Sequence, residues 1–247
     1  MPDALAEQKP KLTYEKQRAI NARLAQASAE GRVSDMESLI SSGADIFSFV
    51  NHNTPLMWAA ANGRIMACSL LIKKGASVHA VSTKEGLTAL KLAAFQGQTN
   101  TCEFLLDNGA NVESGTGPSW GKGRTSLIYA AYNGHAKTCK LLISRCAQAG
   151  ISAYQFVNAT SATIDGSKTA LHYAAAKEYA KVCAVLVSHG AEIFLTDDAS
   201  KTARTYATIN GDAKTASFLW QVGLFQDMLG EETYKSFISE FGKCIAA

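Results

Sequence analysis

Apolar and polar positions along this chain fall into one pattern that recurs. A threonine opens each copy, at Thr54, Thr88, Thr125, Thr169 and Thr202, with separations of 34, 37, 44 and 33 residues. Two residues on stands Leu56, Leu90, Leu127 or Leu171, and five and six residues on stand the pairs Ala59 and Ala60, Ala93 and Ala94, Ala130 and Ala131, Ala174 and Ala175. Nine residues on comes Gly63, Gly97 or Gly134, a residue that accepts a positive φ and closes a helix. A second apolar run follows, through Leu70 to Ile72, Phe104 to Leu106 and Leu141 to Ile143, and the runs end at "GAS", "GAN" and, in a later copy, "GAE". The spacing predicts two short helices per copy, joined at the glycine, and then an extended stretch.

The last of these copies and one that precedes the first are degenerate. "ARLAQASAEGRVSDMESLISSGAD" from Ala22 sets Gly31 and Gly43 where Gly63 and Gly75 fall in the next copy, but lacks the threonine. "TARTYATINGDAKTASFLW" from Thr202 carries Arg204 in place of the leucine and Thr208 in place of the second alanine. Polar departures at both ends suit terminal units, which have no neighbour on one side. Beyond Phe225, the residues Met228, Leu229, Tyr234, Phe237, Ile238, Phe241 and Ile245 fall at mostly helical spacing, which predicts an amphipathic helix that closes the stack, with Gly230 as the break before it.

The segments "TPLMWAA", "TALKLAA", "TSLIYAA" and "TALHYAA" share one register, and the period near 33 residues together with the T-P-L-H-x-A signature resembles the ankyrin-repeat family. The resemblance implies an all-α solenoid of about six helix-turn-helix-finger repeats with a C-terminal capping helix. The expected boundaries are 13–50, 51–83, 84–113, 114–159, 160–197 and 198–225, after a disordered tail at 1–12 and before a final helix at 226–247. His172 occupies the signature histidine, which the family uses to hydrogen-bond the turn. Met57, Lys91 and Ile128 replace it elsewhere, so looser turns are expected there.

The 247 residues carry a net charge of +3 with no run of basic residues, which argues against nucleic acid or an anionic membrane as a direct ligand. No apolar stretch is long enough to span a bilayer and the first residues are polar, so a cytoplasmic protein is expected, with the nucleus as the alternative. Four of the six cysteines, Cys68, Cys102, Cys139 and Cys183, stand fourteen residues past successive threonines. Equivalent points on stacked helices lie about 8–10 Å apart, too far for a disulfide, so these read as a ladder of buried thiols. Cys146 and Cys244 lie outside that ladder and are expected to be exposed. No metal-ligand spacing, nucleophile–base pair or carboxylate pair stands out, and neither a cofactor nor a catalytic residue is expected.

The irregular stretches carry the functional reading. "SGTGPSWGKGR" from Ser114 lengthens one finger and holds the isolated Trp120; it misses the phosphate-loop pattern, with Thr116 for the first glycine and Gly123 for the hydroxyl. "SRCAQAGISAYQFVNATSATIDG" from Ser144 adds about ten residues with an apolar side at Ile151, Tyr154, Phe156 and Val157, expected to extend the helix or fold over it. Its sequon at Asn158 is taken as chance.

The family resemblance implies partner recognition through finger tips and the concave face of the first helices. By position this selects Asn62, Phe95, Gln96, Tyr132, Asn133 and Lys177 at the helix ends, with Leu87, Lys122, Arg124 and Lys168 in a polar rim together with Asn53 and Glu85. Phe95, Trp120 and Tyr132 are expected to form the aromatic centre of an interface, the alternative being rings packed on one another or on the long finger. The positions four past each threonine, Trp58, Leu92, Tyr129, Tyr173 and Tyr206, are expected in the core. His79 and Glu113 stand where the family's asparaginyl hydroxylation would need asparagine, which argues against that modification. The expected function is that of a non-enzymatic scaffold or adaptor, monomeric on its own, that binds a protein partner; a stoichiometric inhibitor or an assembly chaperone is the alternative. Part of a host-directed effector or of an enzyme's regulatory subunit ranks behind both.

Overall fold

A computed structural model describes residues 13–113, 123–162 and 165–226, and among these every named element is helical. The inner layer comprises α1 (Tyr14–Glu30), α3 (Pro55–Ala61), α5 (Ala89–Phe95), α7 (Ser126–Tyr132), α10 (Ala170–Ala176) and α12 (Ala203–Ile209), each packed on the next. The outer layer comprises α2 (Val33–Ser41), α4 (Ile65–Lys73), α6 (Thr99–Asp107), α8 (Ala136–Cys146), α11 (Ala180–Ser188) and α13 (Ala213–Gln226), stacked in the same order. One further helix, α9 (Ala153–Asn158), belongs to the second insertion. The chain is thus a solenoid of six helix pairs. The expected tail at 1–12 and final helix at 226–247 lie almost wholly outside the described residues.

The recurring residues explain the recurring helices. Each of the five threonines is an N-cap in extended conformation whose hydroxyl accepts the backbone N–H three residues on, at Met57, Lys91, Ile128, His172 and Thr205. Such a cap contributes about 1 kcal/mol. His172 adds Nε2 to the Lys201 carbonyl at 3.0 Å and Nδ1 to the Thr169 hydroxyl at 2.8 Å. The turns without histidine keep the threonine bond, and at Met57 the sulfur takes the Thr54 N–H, so the cap does not depend on the imidazole. The alanine pairs and the leucines two past each threonine are buried between consecutive inner helices.

Stacking is fastened at the helix ends. In three repeats the side chain ten past the threonine reaches back to a carbonyl at the end of the preceding inner helix, Arg64 to Ala29, Gln98 to Ala61 and His135 to Phe95, and in the last repeat Asn210, eight past, does so to Ala176. These bonds satisfy carbonyls that a short helix leaves without partners. They also explain the glycines. Gly97 has φ +69°, and a Cβ there would sit 2.4 Å from the His135 ring. At the fifth repeat Glu178 occupies the same place with φ +63°, a left-handed conformation costly for a side-chain-bearing residue.

One expectation changes and one is met on both counts. All four ladder cysteines are buried and unbridged, but Cys146 is buried too. It stands where Gly75, Gly109 and Gly190 end their outer helices, so α8 runs on through it, turns its thiol inward and stops only after a 3-10 turn at Ala147–Ala149. The second insertion does both things foreseen for it: α8 lengthens, and α9 folds back, burying Phe156 and Val157 while Tyr154 points outward to Glu192. Asn158 ties this insertion to the next repeat, donating to the Gly190 carbonyl at 2.9 Å and accepting from the Glu192 N–H at 2.8 Å.

Lys91 is the least expected core residue, 1% exposed in the place of the signature histidine. Burial pushes its pKa down from 10.5 to about 8. The folded state therefore binds fewer protons than the unfolded chain between about pH 8 and 10.5; the destabilisation is full below pH 8 and is relieved as pH rises through that window. Lys91→Met is expected to abolish this rise in stability, so the parent gains stability relative to the variant between about pH 8 and 10.5 in urea unfolding. A pH-independent difference would refute the buried-charge account. Glu178→Gly is expected to add about 0.5–1 kcal/mol by relieving the left-handed strain; a lowered thermal midpoint would contradict that.

Candidate partner-binding surface

The ends of the inner helices carry a row of aromatic and polar side chains. Asn62, Gln96, Asn133 and Lys177 are the C-cap residues of α3, α5, α7 and α10, and because those helices stack, the four line up across consecutive repeats. Asn62, Gln96 and Lys177 are exposed, while Asn133 is half-buried and its amide donates to the Tyr129 carbonyl at 3.4 Å. Phe95 and Tyr132 are half-buried beside them.

These two rings do not meet each other. Phe95 packs edge-on against Tyr129 at 6.0 Å and Tyr132 against Tyr173 at 5.7 Å, so each is held by the tyrosine four past the capping threonine of the following repeat. Edge-to-face pairs at this separation add about 0.5–1.5 kcal/mol beyond area burial. The Lys177 ammonium lies 5.0 Å from the centre of the Tyr132 ring. Trp120 and Lys122 lie outside the described residues.

The rim assignment needs two corrections. Leu87 is only 5% exposed, packed beneath its finger with its N–H on the Ser82 hydroxyl, so it presents no side chain to a partner. Arg124 is turned inward. Its guanidinium lies 4.7 Å from the Tyr173 ring, 5.0 Å from Tyr132 and 5.9 Å from Tyr129, and it grips Asp165 of the next finger through Nε at 2.5 Å and Nη2 at 3.0 Å. Tyr173 donates its hydroxyl to the same carboxylate. Burial opposes the Arg124 charge, but the bonds to Asp165 outweigh it and its pKa rises. Burial, with the Asp165 bond second, pushes the Tyr173 phenol up to about 12, so the hydroxyl stays a donor at any working pH.

The following junction repeats this arrangement in weaker form. Lys168 lies 3.9 Å from Asp197 and 5.8 Å over the Tyr206 ring, Lys201 lies 5.5 Å over the same ring, and Tyr206 donates to Asp197 at 2.5 Å. A cation of one repeat thus grips an aspartate of the next, and that aspartate accepts from a tyrosine of its own repeat. Asp165, Asp197 and the role of Tyr173 were not foreseen. One signal was available: the repeats with tyrosine four past the threonine are those with Arg124, Lys168 or Lys201 just before it, whereas Trp58 and Leu92 go with Asn53 and Leu87.

A second aromatic feature was also missed. Phe47 and Phe49 on the first finger and Val81 on the second are exposed, and Phe47 and Phe49 border a cleft of about 200 Å³ with Ile46, Thr54, Ala76, Ser77 and Ala80. Comparing the fingers would have revealed it, since His79 and Glu113 are polar where Phe47 is aromatic. Among the described residues no group of histidine, cysteine and acidic side chains could hold a metal ion, and no helix is long and apolar enough to cross a membrane.

Stacked helix pairs with threonine caps, glycine closures and projecting fingers define a repeat protein of the ankyrin type. A family model described as Ankyrin repeats (3 copies) matches residues 24–116 and 112–197, and the chain belongs to the ankyrin-repeat family. It is similar to the Ankyrin repeat and KH domain-containing protein mask-1 of Caenorhabditis elegans, 37% identical over 92 residues, which is 37% of this chain and 4% of that protein. It is also similar to the Ankyrin repeat and SAM domain-containing protein 6 of Rattus norvegicus, 37% identical over 59 residues, 24% of this chain and 7% of that protein. The matched stretch is thus a small fraction of either relative. Among solved structures, a chain from a complex of a predatory endopeptidase of Bdellovibrio bacteriovorus with an immunity protein has the same fold, with TM-score 0.65, 24% identity, and coverage of 80% of this chain and 96% of that one.

Arg124→Ala is expected to destabilise the chain by about 2–4 kcal/mol, because it removes the two guanidinium bonds to the poorly exposed Asp165 carboxylate and the packing of the guanidinium on three rings. Arg124→Lys should restore less than half of that, since an ammonium cannot bond both carboxylate oxygens and stack on three rings. Urea unfolding beside Arg145→Ala, which removes contacts to the exposed Glu103, Asp107 and Gln148, provides the comparison. Equal effects at the two sites would rule out a special role for the buried pair.

Proposed function

We propose that this chain is a non-enzymatic binding scaffold that holds a protein partner across the ends of its inner helices. The observation that carries the reading is the continuous row of C-cap side chains over four stacked repeats, flanked by two half-buried rings that internal contacts keep in place. Rings already fixed lose little side-chain freedom on binding, and exposed amides beside them supply adaptable hydrogen bonds. Ankyrin repeats as a family bind protein partners, which supports the class of ligand.

Inhibition is a second reading, favoured by the solved complex with a similar chain, which pairs an endopeptidase with an immunity protein. The two readings differ in what happens to the partner: a scaffold leaves its activity intact and an inhibitor abolishes it at equimolar ratio.

A photo-crosslinking side chain at Gln96 is the direct test, with one at Lys140 on the outer layer as control. The row predicts a partner captured from Gln96 and not from Lys140, and a loss of about tenfold or more in yield when Phe95→Ala and Tyr132→Ala are combined in a chain that unfolds normally. Equal capture at both positions, or an unchanged yield in the double variant, would overturn the assignment.

A further inference from the structure

The two halves of the stack differ in charge. Residues 13–113 carry nine basic and nine acidic side chains, whereas residues 114–226 carry eleven basic and six acidic, a net of +5. Two of those six acids, Asp165 and Asp197, are engaged inside the junctions, and Tyr154 holds Glu192. The excess of positive charge therefore falls on the surface of the last three repeats.

Four of the lysines share one edge. Lys177 is the C-cap of α10 and part of the proposed binding row. Across the turn, twelve residues past successive threonines, Lys137, Lys181 and Lys214 are each the second residue of an outer helix, α8, α11 and α13. All four are exposed, and none forms an ion pair among the described residues. The earlier repeats have Met66 and Asn100 at that position. Because α8, α11 and α13 stack in order, the three lysines stand in line, with neighbours about 8–10 Å apart.

Local structure does not favour these charges. A cation in the first turn of a helix meets the partial positive charge of the unpaired N–H groups there. None of the three helices has an acidic residue in its first turn to offset it. Asp212 precedes α13, but its Oδ1 accepts the Thr215 N–H at 3.1 Å and its Oδ2 is buried, so its charge is turned away from solvent. Three consecutive repeats thus keep, at one register, a cation that the fold neither uses nor neutralises.

We infer that the partner meets this edge with an extended acidic segment of polypeptide, whose carboxylates pair with Lys137, Lys181 and Lys214 while the partner lies on the row through Lys177. An extended chain rises about 3.3 Å per residue, so an acid at every third position matches the spacing of one cation per repeat. The inference rests on the proposed function and adds the chemistry of the ligand. A phosphate chain fits less well. Its charges are more closely spaced than one per repeat, the four cations include no arginine, and the exposed Glu178 follows Lys177 directly.

A fluorescein-labelled oligoglutamate of about twelve residues, long enough to span the three repeats, tests this by anisotropy with the full chain at low salt. Lys137→Gln combined with Lys181→Gln and Lys214→Gln is expected to weaken binding about tenfold or more. Lys73→Gln combined with Lys74→Gln and Lys140→Gln makes the same change of charge at exposed positions off this edge and should weaken it by less than about threefold. The edge variant should keep or raise the thermal midpoint, which separates lost binding from lost fold. Equal weakening in the two variants, or no binding by the parent chain, would overturn the inference. Tighter binding of a thymidine oligonucleotide of the same length, lost in the edge variant, would overturn it too and assign the edge to a phosphate chain. Because the probe replaces the partner, the two readings fail separately. Capture at Gln96 with equal weakening of the probe sinks the acidic segment alone, and selective weakening without capture at Gln96 sinks the binding row.

Discussion

A helix of seven residues has almost no stability of its own in water, because nucleation fixes several residues before the first hydrogen bonds repay it. Five of the inner helices have that length. They persist because threonine caps close one end, side chains from the next repeat close the other end of α3, α5 and α10, and alanine pairs allow neighbours close enough to exclude water. Every repeat therefore depends on the one beside it, and the core is a line of interfaces rather than a centre.

That dependence explains where charge is tolerated inside the stack. The Arg124 guanidinium and the Asp165 carboxylate are nearly closed off from solvent, yet each is met by the other, and rings of two repeats fill the remaining sides. Lys168, Asp197 and Tyr206 repeat the motif with longer contacts. The junctions in the C-terminal half thus add ion pairs to the bonds at the helix ends, where the earlier ones have Trp58 and Leu92 beside the carbonyl bonds from Arg64 and Gln98. Tyr132, fixed between Arg124, Tyr173 and Lys177, belongs to both the internal network and the proposed binding row. A side chain so placed links the rigidity of the stack to the shape it offers a partner.

The irregular repeats follow the same physics. Where a glycine ends an outer helix the chain turns into a finger; where Cys146 replaces it the helix continues and needs a cover, which Phe156 and Val157 of the insertion supply. At the far end α13 continues through Gly223 and leaves Trp220 and Leu224 exposed among the described residues. Extension of an outer helix creates apolar surface, and in the fourth repeat the chain itself supplies the covering segment.

The sequence determined by itself the period, the caps, the glycine closures and the buried ladder of thiols, because these are local or strictly periodic and each copy confirms the others. It also marked the ends of the inner helices where Asn62, Gln96 and Lys177 are exposed. Only the tertiary structure decided what each irregular side chain faces. Arg124 and Leu87 read as rim residues along the chain, but the aspartate and the rings that draw Arg124 inward come from the following repeat, about forty residues on. Cys146 read as exposed until α8 was seen to run past its usual stop. Lys91 sits in the core because its place in the repeat is internal whatever residue occupies it. Periodicity fixes position within a repeat; the contact across the junction depends on the particular pair of side chains that meet there, and only folding brings that pair together.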